Sequence, residues 1–223
     1  MSPSVALLLA QTFAHGAWGV AFSPPDPARD RPAIVFLHGM WAGPEEACPP
    51  LRNAALPFGF LVCPRANTPF GDGGTMWTGT SVEAARSIGV ALDAVAAAGG
   101  GASLRRDRDG TLVGYSNGAY FAAEVAGAER GRWPGLVLLS MKLDLDPARL
   151  RAAGVRRVAL AAGDADDTRT SMDAQAKRLN DAGLEARFAS LGPGGHPLPA
   201  DIGPRLCALI AWVRRDDAAR CPG

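Results

Sequence analysis

Gly114-Tyr115-Ser116-Asn117-Gly118 stands between the apolar run Thr111-Leu112-Val113 and the helix-forming stretch Ala119 to Ala128. A G-x-S-x-G pentapeptide on a strand-to-helix turn narrows the folds open to a chain, because so sharp a reversal forces the central residue into strained backbone angles. Glycines two before and two after it remove the Cβ atoms that would clash as strand and helix close together. The serine hydroxyl is pushed into the open. Unpaired N–H groups and the partial positive charge of the helix start face the same spot, which suits an oxygen that turns negative during a reaction. Ser116 is therefore a candidate nucleophile.

Other segments repeat the strand-then-loop pattern. Ile34-Val35-Phe36-Leu37 reads as a fully buried strand running into His38-Gly39-Met40-Trp41-Ala42-Gly43, with a helix expected near Pro44. By the logic of the motif, one oxyanion N–H comes from Asn117 and the other from this loop, at Met40. Val158 to Ala162 ends in Gly163-Asp164-Ala165-Asp166-Asp167, and Phe188 to Leu191 ends in Gly192-Pro193-Gly194-Gly195-His196. The chain order is Ser, Asp, His.

On these motifs the sequence resembles the α/β-hydrolases, compact serine esterases close to the dienelactone-hydrolase and secreted polyester-depolymerase types, over roughly Trp18 to the last helix. The resemblance implies Ser116 as nucleophile, His196 as general base and acid, and Asp166 as the acid that orients it. Asp166 is preferred because such proteins place that acid last in a G-x-x-D turn, here Gly163 to Asp166. Asp164 and Asp167 stay open. Dienelactone hydrolases proper carry cysteine where this chain has Ser116, so their substrate is not transferred. The expected activity is hydrolysis of carboxylic esters through an acyl-enzyme. Peptidase or thioesterase action on the same fold, or a non-catalytic binding module, are the alternatives.

The chemistry requires these residue types. A serine hydroxyl attacks a carbonyl only when a base removes its proton, and an imidazole, with an ordinary pKa of ~6.5, accepts that proton and returns it to the leaving alcohol. The carboxylate fixes the tautomer of the ring. His38 and Gly39 are expected to brace the oxyanion loop, and His15 to be structural. Trp41, Tyr115 and Trp77 are candidate walls of the substrate cleft, Trp77 equally a core residue; it lies in a Gly/Pro-rich segment, Arg65 to Gly79, with Phe70 and Met76.

The remaining pattern fits an α/β fold, a mostly parallel sheet with helices on both faces. A half-buried early strand is expected from the alternation of Trp18, Val20 and Phe22, and a buried one at Phe60 to Val62. A helix from Ser81 to Ala98 follows from the spacing of Ala85, Ile88, Leu92 and Val95, closed by Gly99-Gly100-Gly101. A strand at Leu136 to Leu139, a helix around Ser171 to Asp181 and a last helix bearing Leu206, Leu209, Ile210 and Val213 complete it. Only Met141 to Arg156 separates two strands where related proteins insert a lid, so an open cleft with a minimal lid is expected.

With 223 residues, 48% of them hydrophobic, residues 17–223 read as one domain, and residues 1–16 as a signal-like or disordered leader. A net charge of +1 leaves no footprint for nucleic acid, no run is long enough for membrane insertion, and no metal or cofactor motif appears. The expected partner is a small-molecule ester. Four cysteines suggest local bridges, Cys48 with Cys63 and Cys207 with Cys221, and hence a secreted or periplasmic protein, with a cytoplasmic one as the alternative.

Overall fold

Runs of Val, Leu, Ile and Ala without charges build the centre of the molecule, as expected of strands covered on both faces. The computed structural model describes residues 12–24, 30–98, 103–216 and 221. Its strands are β1 (Thr12–Gly16), β2 (Gly19–Phe22), β3 (Arg31–Leu37), β4 (Phe60–Pro64), β5 (Thr68–Phe70), β6 (Gly74–Met76), β7 (Leu104–Arg105), β8 (Thr111–Tyr115), β9 (Gly135–Leu139), β10 (Arg157–Ala162) and β11 (Glu185–Ser190). The helices are α1 (Pro44–Ala47), α2 (Arg52–Ala55), α3 (Ser81–Ala97), α4 (Asn117–Ala128), α5 (Pro147–Ala153), α6 (Arg169–Asp181) and α7 (Ile202–Arg214).

The main sheet runs β1-β2-β4-β3-β8-β9-β10-β11, with β7 pairing the start of β3. β1, β2 and β4 pair antiparallel, and every later neighbour is parallel. Side chains alternate across it. Val35, Leu37, Leu112, Leu136, Leu138 and Leu160 join Ile88 and Leu92 of α3, Phe121 and Val125 of α4, and Leu179 of α6 in one buried cluster. Ile34, Phe36, Val113, Val137, Leu139 and Ala161 join Leu206, Leu209, Ile210 and Val213 of α7 on the other face. Fully burying one such side chain stabilises the fold by about 1.5–3 kcal/mol, so both faces are held firmly.

Local rules set the helix ends. Thr80 and Glu83 form a capping box that starts α3, and Asp146 caps α5 through the N–H groups of Ala148 and Arg149. α5 ends at Gly154 in the left-handed conformation (φ 92°). The triplet Gly99-Gly100-Gly101 lies outside the described residues.

One expectation needs correction, and two segments carry structure that the sequence pattern does not announce. β2 is not half-buried: Val20 and Phe22 face one cluster and Ala21 the other, because helices cover both sides, while Trp18 sits in the preceding turn. Residues 12–16 of the expected leader form β1, with His15 in register opposite Val20; residues 1–11 lie outside the described residues. The Gly/Pro-rich segment contains a two-stranded hairpin, β5 with β6. Between β9 and β10 the one helix is α5, which packs on α4, and no lid is inserted there. Both bridges form as expected, Cys48 with Cys63 (Cα–Cα 6.1 Å) and Cys207 with Cys221 (5.6 Å). Among the described residues no helix is long and apolar enough to cross a membrane.

Candidate active site

Ser116 leaves β8 at φ 52°, ψ −124°, a region that non-glycine residues occupy only under constraint. The constraint is visible in its surroundings. A Cβ on Gly114 would lie 2.5 Å from the Ala119 Cα, and one on Gly118 would lie 2.1 Å from the Leu37 carbonyl oxygen. Only glycine lets α4 start this close to β8 and β3. The Ser116 N–H donates to the Leu139 carbonyl (2.9 Å), and Ser140 donates in turn to Ala161 (2.9 Å), so the strand ladder carries on one step into the loops.

The loops after β10 and β11 are joined in the same manner. Leu191 donates to Ala162 (2.9 Å), Asp164 to Gly192 (2.8 Å) and Ala165 to Gly194 (3.0 Å). A Cβ on Gly163 would lie 2.1 Å from the Gly194 carbonyl oxygen, so this close contact also requires glycine. The result brings three distant side chains into line. His196 Nε2 lies 3.0 Å from Ser116 Oγ, and His196 Nδ1 lies 3.4 Å from Asp166 Oδ2. The Asp166 side chain is fully buried, whereas that of His196 is 46% exposed.

The other acids face elsewhere. Asp164 accepts from Ser190 Oγ (2.7 Å) and pairs with Arg169, and Asp167 pairs with Lys142 at the surface. Asp166 Oδ1 accepts the Thr168 N–H (2.9 Å). Burial works to raise the Asp166 pKa, but the Thr168 N–H, the Ser140 and Thr168 hydroxyls and the charge of His196 together hold it below the ordinary carboxylate value. The aspartate stays ionised. Tyr115 donates its hydroxyl to the His196 carbonyl (3.1 Å), and its ring centroid lies 5.5 Å from the imidazole, so it steadies the histidine loop. Burial, and then the Asp166 charge, raise the pKa of that phenol.

A second network holds the loop after β3. His38 is fully buried; its Nδ1 donates to the Gly39 carbonyl (2.8 Å) and its Nε2 faces the Thr75 hydroxyl (3.4 Å). Desolvation lowers its pKa, which keeps it neutral. Gly39 presses on the Ser116 turn: a Cβ there would lie 3.1 Å from the Tyr115 ring and 3.3 Å from the Ser116 Cβ. Trp77 corrects the expectation of a cleft wall. At 1% exposure it has no surface to offer a substrate, and its indole N–H donates to the His38 carbonyl (3.1 Å) while its backbone N–H donates to Asn117 Oδ1 (2.8 Å). The hairpin end thus clasps the Met40 loop to the Ser116 turn. Met40 (41%) and Trp41 (67%) are exposed.

The roles of Ser140, Thr168, Thr75 and the Asn117 side chain escape sequence reasoning, since short polar residues in loops carry no periodic signal. Among the described residues no three His, Cys, Asp or Glu side chains gather as a metal site.

The sheet order, the strained serine turn and the acid and histidine loops after the last two parallel strands define the α/β-hydrolase fold, and the chain has that fold. No family model matches the sequence, and no curated protein matches it. Solved structures do resemble it: esterase PE8 (20% identity, 89% of this chain and 98% of that one, TM-score 0.63), and a carboxylesterase from Mesorhizobium loti (22%, 91% and 96%, TM-score 0.60). S-formylglutathione hydrolase from Staphylococcus aureus is a third (15%, 87% and 91%, TM-score 0.62). These identities establish the fold, not the substrate.

Proposed function

We propose that the protein is a serine hydrolase of carboxylic esters. The observation that carries this reading is the alignment of three side chains: Ser116 Oγ is hydrogen-bonded to His196 Nε2 (3.0 Å), and His196 Nδ1 lies 3.4 Å from the carboxylate of a buried, ionised Asp166. Ser116 Oγ bonds to the ester carbonyl carbon while its proton passes to His196 Nε2, and the N–H groups of Met40 and Asn117 receive the oxyanion. Collapse breaks the bond to the alcohol oxygen, which takes the proton from His196. Water then repeats the sequence on the acyl-enzyme: it bonds to the acyl carbon while giving a proton to His196, and collapse breaks the bond to Ser116 Oγ, which takes that proton back from His196 as the carboxylic acid is released. Asp166 orients the ring and offsets its transient positive charge without taking a proton.

Esterase and serine-hydrolase names among proteins of the same fold support the reaction class. In this reading residues 17–223 work as one catalytic domain, and two disulfides favour an oxidising compartment, outside the cell or in the periplasm. A fluorophosphonate should label Ser116 in the native protein, and p-nitrophenyl acetate, butyrate or octanoate should turn over faster than peptide anilides. Absence of labelling beside a labelled control esterase would indicate a binding module instead, and preference for anilides a peptidase.

A further inference from the structure

Among the described residues five large apolar side chains stand exposed: Met40, Trp41, Val82, Val90 and Tyr120. Val82 and Val90 lie on α3 and Tyr120 on α4, as scattered surface residues do. Met40 and Trp41 are the consecutive pair, in the loop beside Ser116. Trp41 has φ 72°, an unfavourable conformation for a bulky residue, and still leaves 67% of itself in water. Folding alone would favour the reverse on both counts.

The conformation is enforced by the hairpin. A Cβ on Gly74 would lie 2.4 Å from the Trp41 carbonyl oxygen, and one on Gly71 would lie 2.7 Å from the indole, so both glycines exist to admit this residue. Thr75 N–H donates to Ala42 (3.1 Å), and Phe70 meets the indole edge-on with centroids 4.4 Å apart. One side of the ring is fixed against the hairpin. The rest is a rigid aromatic surface whose ordering cost is already met before any ligand arrives.

We infer that Trp41 is the specificity-determining residue for the acyl part of the substrate, selecting esters of extended apolar or aryl acids over acetate. This rests on the ester-hydrolase reading of Ser116. In that reaction the alcohol must leave toward His196, which protonates it, and the oxyanion must point to the Met40 and Asn117 N–H groups. The acyl remainder therefore runs away from His196, and the loop that leads from Met40 into Trp41 borders its path. A flat apolar group covering the indole removes water from both surfaces.

The test compares kcat/KM for p-nitrophenyl phenylacetate, hexanoate and acetate in the whole protein and two variants. Asn tolerates the left-handed conformation and Phe preserves an aromatic surface, so Trp41→Asn and Trp41→Phe separate shape from backbone strain. The wild-type protein should favour phenylacetate and hexanoate; Trp41→Asn should lower both ratios to acetate about tenfold, while Trp41→Phe should keep most of the preference. Ratios that stay within about twofold in Trp41→Asn overturn the inference, as does a wild-type preference for acetate. Fluorophosphonate labelling distinguishes the levels: Ser116 labelled with ratios unchanged sinks the acyl assignment alone, whereas no labelling and no ester turnover sinks the hydrolase reading and this inference with it.

Discussion

At the scale of single residues, Asp164, Asp166 and Asp167 have nearly the same sequence context and different surroundings. Asp166 is sealed against Thr168 and His196, while Asp164 and Asp167 hold exposed ion pairs. Asp166→Asn should cut kcat by about 10⁴, as loss of an orienting carboxylate does. Asp164→Asn and Asp167→Asn should stay within roughly threefold, since exposed pairs contribute little. Steady-state kinetics on the three variants checks both. His38 gives a pH signature of its own. Because burial lowers its folded pKa, the unfolded chain binds the proton more readily, and the stability gained from the neutral ring, present above pH ~6.5, is lost as pH falls from there through the lowered value. Melting temperature should therefore drop between pH 7 and 5, and His38→Gln should flatten that slope; equal slopes would exclude His38 as the cause.

At the scale of elements, the β5–β6 hairpin joins the loop after β3 to the turn at Ser116. Asn117 is the joint, accepting the Trp77 N–H with its side chain beside the donor on its own backbone. Asn117→Ala leaves that buried N–H unpaired, at a cost of about 1–3 kcal/mol. It should lower kcat by about 10² if the Asn117 N–H shifts by even a fraction of an ångström, with KM changed far less. Asn117→Asp keeps an acceptor and should recover most of the loss. This device was not legible in the sequence. The strained turn at Ser116 was, because Gly-x-Ser-x-Gly between a strand and a helix is a local steric statement, and so were the long helices α3 and α7, whose apolar spacing is regular. The hairpin has strands of three residues with Pro69 in one of them, too short for alternation to register. Trp77 shows the other limit. Sequence places it near the cleft, but only packing decides that its indole is enclosed and bonded to His38. Choosing among three neighbouring aspartates likewise needs the third dimension.

For the whole molecule, the two bridges act at different distances from the chemistry. Cys48–Cys63 is fully buried and ties the end of α1, the helix that follows the Met40 loop, to β4. Cys207–Cys221 pins residue 221 to α7, on the sheet face that packs away from α3 and α4. Closing a loop of this length is worth about 3 kcal/mol through the unfolded chain. The double variant Cys207→Ala/Cys221→Ala should therefore melt several degrees lower and keep the wild-type kcat at 25 °C; a fall in kcat to match would mean that the tail reaches the site. The backbone bonds between the loops that carry Asp166 and His196 have a wider effect. Asp166 and His196 are stitched to one another before either meets Ser116, so a local opening at this corner takes both away together. The hydrolase proposed above would thereby be biased toward two conditions, fully armed or silent, with little room for a half-competent form that would trap an acyl group it could not release.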